Sequence, residues 1–147
     1  MGTTNVRDVI TASPRCAAPD TPLSQVAELM GTEDVGAIPI LDGDRLVGMI
    51  TDRDIVVRAI AKEKDPRAMP SKEISSEELV TVGPDRDLSE ALHLMAQHQV
   101  RRLPVVDDEN RLVGVVSQAD IALEAKDKSV GEMVADISKP SEASRQL

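Results

Sequence analysis

The fold is decided by the stretch V-R-R-L-P-V-V-D-D-E-N-R-L-V-G-V-V-S-Q-A-D-I, residues 100–121. It contains two short runs rich in Val and Leu, a polar cluster between them, and a hydroxyl residue that opens a helical pattern. Such a pattern predicts a β-hairpin followed by a helix. A second copy, V-G-A-I-P-I-L-D-G-D-R-L-V-G-M-I-T-D-R-D-I, occupies residues 35–55. The chain is therefore organised as an internal repeat.

The two copies stay in register beyond the hairpin itself. Before the hairpin turn the matching residues lie 65 positions apart, as Met30 does from Met95. After the turn the separation becomes 66, as for Gly48 and Gly114. The one-residue change falls in the polar turn, where insertions are tolerated best.

A helix is predicted ahead of each hairpin. The apolar residues that recur at helical spacing are Leu23, Val26, Ala27 and Met30 in the first copy and Leu88, Ala91, Leu92 and Met95 in the second. Short strands are expected before these helices, at residues 15–18 and 79–82. A single repeat cannot bury both faces of its hairpin, so we expect two repeats to pack together and leave a cleft.

These patterns predict four segments. They are repeat 1 over residues 6–61, a charged linker with two prolines over 62–72, repeat 2 over 73–125, and a short final helix with a polar tail over 126–147.

Composition excludes several classes of protein. The formal net charge of −9 argues against general binding to nucleic acid or to an anionic membrane surface. No apolar run approaches the ~20 residues of a membrane span. Cys16 is the only cysteine, and the first residues lack the apolar core of a signal peptide. We therefore expect a cytoplasmic protein. Phe, Tyr and Trp are absent, so the core must be aliphatic.

Both copies resemble the cystathionine β-synthase (CBS) domain. The residues that carry the resemblance are P-D-T-P-L-S-Q-V-A-E-L-M at 19–30, G-A-I-P-I-L-D-G-D-R-L-V-G-M-I-T-D-R-D-I at 36–55, and their partners in the second copy. The chain is similar to stand-alone bacterial CBS proteins associated with stress and hypoxia. The resemblance implies an α+β fold of two βαββα repeats, packed sheet to sheet with pseudo-twofold symmetry. It also implies a homodimer.

Two matched motifs, Thr51-x-x-Asp54 and Ser117-x-x-Asp120, stand at predicted helix starts. As local structure, each is close to a capping box, in which the two side chains satisfy the helix end. As a site, each offers free N–H groups to an anion and a carboxylate to the hydroxyls of a ribose. The resemblance implies that the aspartate holds ribose and the hydroxyl lies near phosphate. We predict binding for Asp120 and leave both interpretations open for Asp54.

Two arginines, Arg101 and Arg102, begin the second hairpin, where the first copy has Gly36 and Ala37. Such a pair is commonly a solvated surface, yet arginine can hold phosphate through paired hydrogen bonds. The resemblance implies a phosphate contact, so we expect two unequal sites. The other predicted ligand-binding residues are Arg53 near phosphate and, around the base, Ile38, Pro39, Leu103 and Pro104.

We predict a ligand-sensing regulatory module, not an enzyme, which binds an adenine-containing nucleotide in the cleft between the repeats. The candidate ligands are AMP, ADP, ATP and S-adenosylmethionine; no cofactor is required, and an unknown protein partner receives the signal. The alternative is a structural, dimerisation or protein-interaction module with empty clefts. A metal protein ranks last, because His93 and His98 have no third ligand in the pattern.

Overall fold

The computed structural model describes residues 4–76 and 79–127. Its strands and α-helices, in chain order, are β1 (Thr11–Ala12), α1 (Leu23–Glu33), β2 (Ala37–Asp42), β3 (Arg45–Thr51), α2 (Asp52–Ile55), α3 (Leu88–His98), β4 (Arg102–Val106), β5 (Leu112–Ser117) and α4 (Gln118–Asp127). Helix α2 continues as a π-helical stretch over Val56–Ile60. Most of the predicted final segment, residues 128–147, lies outside the described residues.

The chain forms two compact units, and their boundaries differ from those of the repeats. The first unit comprises residues 14–76, 79 and 109–112, and the second comprises 4–13, 80–108 and 113–127. None of the helices in the described ranges has both the length and the apolar character needed to cross a membrane.

In the first unit, β2 and β3 form the predicted hairpin. The strands are antiparallel, and Ala37 lies opposite Thr51. Gly43 in the turn has a φ of +68°, a left-handed conformation that favours glycine. Ahead of the hairpin, the predicted strand at 15–18 is reduced to one parallel bridge between Ala17 and Ile40.

The second unit contains a three-stranded sheet in the order β1-β5-β4. Strand β1 pairs with β5 in antiparallel register, with Thr11 opposite Val115. The predicted strand at 79–82 is again reduced to one parallel bridge, here between Val82 and Val105. The hairpin and the helix that follows it are present as the sequence predicted.

The long helices bury an aliphatic stripe, as their spacing predicts. In α1 the prediction is correct for Leu23, Val26 and Met30 and wrong for Ala27, which is exposed. The buried face is therefore narrower than the periodicity indicated. All four predicted residues of α3 are buried, namely Leu88, Ala91, Leu92 and Met95.

Each unit has its own aliphatic core. The core of the first unit consists of Ala17, Leu23, Val26, Met30, Ile38, Ile40, Ile50, Ile55, Ala59, Met69 and Ile74. The core of the second unit consists of Val6, Val82, Leu88, Ala91, Leu92, Met95, Leu103, Val105, Val116 and Ile121.

Each unit is completed by a short segment that precedes the other repeat in the sequence. We call residues 5–12 and 70–76 the lead-in segments. Residues 5–12 belong to the second unit, where the Val6 N–H donates to the Arg86 carbonyl at 2.9 Å and the Val6 side chain is fully buried. The internal repeat predicts residues 6–12 as part of repeat 1, whereas in space they belong to the second unit.

The second lead-in segment, 70–76, repeats the arrangement in the first unit. The Ser71 N–H donates to the Thr21 carbonyl at 2.9 Å, and the Ser71 hydroxyl donates to the same carbonyl at 2.6 Å. Farther along, the Ser76 N–H donates to the Met49 carbonyl at 3.0 Å. Residues 66–72 of the predicted linker are therefore bound to this unit, and Met69 is part of its core.

Two matched glycines allow the lead-in segments to approach the hairpins. A Cβ on Gly114 would lie 2.6 Å from the Thr11 carbonyl oxygen, and one on Gly48 would lie 2.8 Å from the Ser75 hydroxyl. Both distances are too short for a carbon atom. The contact at Gly114 is with backbone, so it could be relieved only by displacing β1.

We predict that Gly114→Ala destabilises the protein by about 1–3 kcal/mol, because the added methyl group forces β1 away from β5. The free energy of unfolding would be measured by urea denaturation, followed by circular dichroism at 222 nm.

The matched control is Gly31→Ala, in helix α1, where an added Cβ meets nothing within 4 Å. Alanine should stabilise the helix there by about 0.5–1 kcal/mol. Equal stability of the Gly114→Ala variant and the native protein would contradict the close approach described above.

Candidate functional site

In the second unit, one backbone hydrogen bond joins the start of the hairpin to the start of α4. The Gln118 N–H, at the first position of α4, donates to the Arg101 carbonyl at 2.7 Å. This bond brings Arg101 and Arg102 beside the helix N-terminus that Ser117 caps. The structure therefore brings together the arginines and the Ser117-x-x-Asp120 motif that the sequence singled out.

The capping interaction at α4 uses only half of the predicted box. The Asp120 N–H donates to the Ser117 hydroxyl oxygen at 3.0 Å. Within the described part of the chain, no group donates a hydrogen bond to the Asp120 carboxylate and no cation pairs with it. The side chain is partly exposed, so its oxygens remain available as acceptors.

In the first unit the same junction exists with different local bonding. The Asp52 N–H donates to the Gly36 carbonyl at 3.0 Å. Here the capping box is complete, since the Asp54 N–H donates to the Thr51 hydroxyl at 3.1 Å and the Thr51 N–H donates to the Asp54 carboxylate at 2.9 Å. One oxygen of Asp54 is thus already committed to the helix end.

The predicted phosphate-binding arginines are accessible. Arg101 and Arg53 are exposed, and Arg102 is half-buried. Across residues 4–76 and 79–127, none of the three guanidinium groups forms an ion pair or a side-chain hydrogen bond. Each can therefore receive an anion without first breaking an internal bond.

The residues predicted around the base lie in the core. Ile38 and Leu103 are each 1% exposed, and Pro39 and Pro104 are also buried. The proline carbonyls accept sheet hydrogen bonds, Pro39 from the Ala17 N–H at 3.0 Å and Pro104 from the Val82 N–H at 3.2 Å. A contact between these strands and a ligand must therefore come mainly from backbone groups.

Other reactive side chains are not gathered with these groups. Cys16 is half-buried, and burial raises the pKa of its thiol. His93 and His98 are exposed on α3. Among the residues with a described position, no group of three or more His, Cys, Asp or Glu side chains could hold a metal ion.

The chain matches the family model for the CBS domain twice, over residues 6–60 and 72–127. It is 41% identical over 135 residues to the CBS domain-containing protein YhcV of Bacillus subtilis, which covers 91% of this chain and 95% of the relative. It is 38% identical over 138 residues to hypoxic response protein 1 of Mycobacterium tuberculosis, covering 93% of this chain and 96% of the relative.

Two solved structures show the same fold. The crystal structure of hypoxic response protein I with two coordinated zinc ions has a TM-score of 0.76 and 40% identity, and covers 82% of this chain and 98% of its own. The CBS domain pair of protein MJ0100, in complex with 5′-methylthioadenosine and S-adenosylmethionine, has a TM-score of 0.73 and 29% identity, with the same coverage of 82% and 98%.

We predict that the two matched aspartates differ in their effect on stability. Asp54→Ala should lower the free energy of unfolding by about 1 kcal/mol more than Asp120→Ala does, because only Asp54 accepts a backbone hydrogen bond. Each carboxylate lies in the first turn of a helix, so the loss of the interaction with the helix dipole is similar in the two variants. Urea denaturation of the two variants measures the difference, and equal losses would contradict it.

Proposed function

The chain belongs to the CBS domain family, and we propose that it is a regulatory module that binds an adenine-containing nucleotide. The observation that carries the proposal is that, among the described residues, the Asp120 carboxylate is unengaged and lies at the N-terminus of α4 with two unpaired arginines beside it. The MJ0100 domain pair, which binds two adenosyl compounds, supports the ligand class.

In this proposal the second unit supplies three kinds of contact. Asp120 accepts hydrogen bonds from the vicinal hydroxyls of ribose, since an ionised carboxylate is a pure acceptor. Arg101 and Arg102 hold phosphate through charge-assisted hydrogen bonds. Ser117 and the Ala119 N–H face the same anion, since the Gln118 and Asp120 N–H groups already donate within the chain. Thr51, Arg53 and the second oxygen of Asp54 are the corresponding groups in the first unit.

The base is held by strand backbone in this proposal. The Pro39 and Pro104 carbonyls point away from the hairpin partner strand, because each accepts a hydrogen bond from a parallel segment. In a strand, backbone groups two residues apart point to the same side, so those of Ala37 and Arg102 also point away from the hairpin partner strand. That edge can offer a carbonyl to the exocyclic amine of adenine, while Ile38 and Leu103 support it from the core.

Regulation follows from linkage in this proposal. A ligand that binds one arrangement of the chain more tightly than another shifts the population toward that arrangement. The same free energy changes the affinity for a protein partner, and the partner changes the affinity for the ligand equally. We propose a cytoplasmic setting and a stress response as its context; the latter is consistent with the name of the mycobacterial relative.

The second candidate function is a dimerisation or interaction module that needs no ligand. The observation that favours it is an exposed apolar patch on the helix of the first unit, where Val56 is 57%, Val57 42% and Ile60 51% exposed. Clustered apolar surface of this kind commonly marks a contact with another protein. A homodimer is compatible with both candidate functions, and we propose a second copy as the occupant.

We predict that Asp120→Ala abolishes the binding of AMP, ADP and ATP without unfolding the protein, because these ligands need the ribose and phosphate contacts of the second unit. A dye-based thermal-shift screen would test AMP, ADP, ATP and S-adenosylmethionine against both proteins. A ligand at ~100 times its dissociation constant adds roughly 2.7 kcal/mol to the stability of the native protein, which raises Tm by about 2–8 °C. The control is Glu28→Ala, which removes an exposed carboxylate from α1.

The native protein and Glu28→Ala should respond alike to all four compounds, and Asp120→Ala should lose its response to the phosphate-bearing ones, AMP, ADP and ATP. An unchanged shift in Asp120→Ala would reject the ribose role of that carboxylate. A flat response of the native protein, shown by mass spectrometry to carry no nucleotide, would favour the interaction module.

We also predict that Val56→Lys combined with Ile60→Lys converts a dimer to a monomer, because it places two cations in the proposed interface. Light scattering coupled to size-exclusion chromatography measures the mass. Arg15→Ala is the control, since it changes an exposed residue outside the patch. A monomeric native protein would remove this interface from the proposal.

A further inference from the structure

We infer that the two units select different ligand classes: the second takes a nucleoside 5′-phosphate, and the first takes an adenosyl compound without phosphate. This inference rests on the proposed function and adds the ligand class for each unit. Its basis is a difference in charge and in available N–H donors between structurally matched positions.

The first difference is the charge of the residues around each hairpin-to-helix junction. In the first unit, residues 34–37 and 51–54 carry three aspartates and one arginine, a formal net charge of −2. The matched residues of the second unit, 99–102 and 117–120, carry two arginines and one aspartate, a net charge of +1. A dianionic phosphate is therefore attracted to one junction and repelled by the other.

The difference in net charge comes partly from two positions that are not predicted to bind a ligand. Asp34 matches Gln99, and both end a long helix in the same left-handed conformation, with a φ of 55°. Asp52 matches Gln118, and the N–H of each donates to the carbonyl at the start of the preceding hairpin. In both pairs an acid in the first unit corresponds to a neutral amide in the second. The sequence offsets of 65 and 66 residues between the two copies already pair these positions.

The second difference is the availability of backbone donors. In the first unit the Arg53 N–H donates to the Asp52 carboxylate at 2.8 Å, so a built-in anion already occupies that donor. The matched N–H in the second unit belongs to Ala119. It is at a position without an intrahelical acceptor, and no side chain of the described residues accepts from it. It can therefore donate to a phosphate oxygen. Charge and available donors thus agree on the second unit as the phosphate-binding one.

The test compares AMP with 5′-methylthioadenosine, which lacks a phosphate, by isothermal titration calorimetry. The variant is Arg101→Gln combined with Arg102→Gln, which removes two cations and keeps side chains of hydrogen-bonding type. We expect AMP affinity to fall by about 10- to 100-fold, as for the loss of charge-assisted hydrogen bonds. The affinity for 5′-methylthioadenosine should stay within about threefold. Arg15→Gln is the control, because it removes an exposed cation from the first unit, outside the residues of both junctions.

A second variant locates the other ligand. Asp54→Ala, with folding checked by circular dichroism, should weaken 5′-methylthioadenosine more than AMP. The inference is overturned if the double arginine variant binds AMP normally, if it loses both ligands equally, or if Asp54→Ala weakens AMP more than 5′-methylthioadenosine. If the native protein binds neither ligand, the result contradicts the proposed function itself. Binding of both ligands without these selective losses retains the function and rejects only the division between units.

Discussion

The junction between a hairpin and the helix that follows it is the constraint on which both candidate sites depend. In each unit the first N–H of the helix donates to the carbonyl at the start of the hairpin, Asp52 to Gly36 and Gln118 to Arg101. The bond fixes where the helix N-terminus points relative to the strand edge. Because this backbone arrangement is the same in both units, the chemistry of each junction depends on only a few side chains. Gly36 and Arg101 hold equivalent backbone positions, yet only one brings a cation.

The internal repeat made much of the fold predictable from local patterns. Both hairpins, the long helices and the helix starts at Thr51 and Ser117 were confirmed, because each depends on residues close together in the sequence. The exchange of the lead-in segments was not predicted, since their partners are remote: the Val6 N–H donates to the carbonyl of Arg86, 80 residues away. A faint signal existed, because V-R-D-V-I-T at 6–11 and S-K-E-I-S-S at 71–76 share a basic residue followed by an acidic one at matched positions.

The candidate site shows where sequence patterns stop discriminating. Thr51-x-x-Asp54 and Ser117-x-x-Asp120 are the same motif, but the first forms a reciprocal capping box and the second leaves its carboxylate unengaged. The motif itself does not distinguish the two bonding states, because both are compatible with the same residues at the same spacing. The pattern of apolar residues likewise could not tell a core residue from a ligand contact. Ile38 and Leu103 prove to be fully packed, which shifts the expected role of their strands to the backbone.

The exchange of lead-in segments bears on how such a chain can evolve. A single repeat cut from its neighbour would keep its own lead-in and lose the one that its core requires, so a lone copy would begin with an incomplete core and an uncovered strand. Gene fusion or shuffling should therefore transfer the two repeats as a pair. Within the pair, each copy's lead-in segment completes the core of the other, so its backbone conformation is constrained. The side chains at the junctions do not have this role and can diverge. Duplication followed by specialisation of one copy is the history that this arrangement favours.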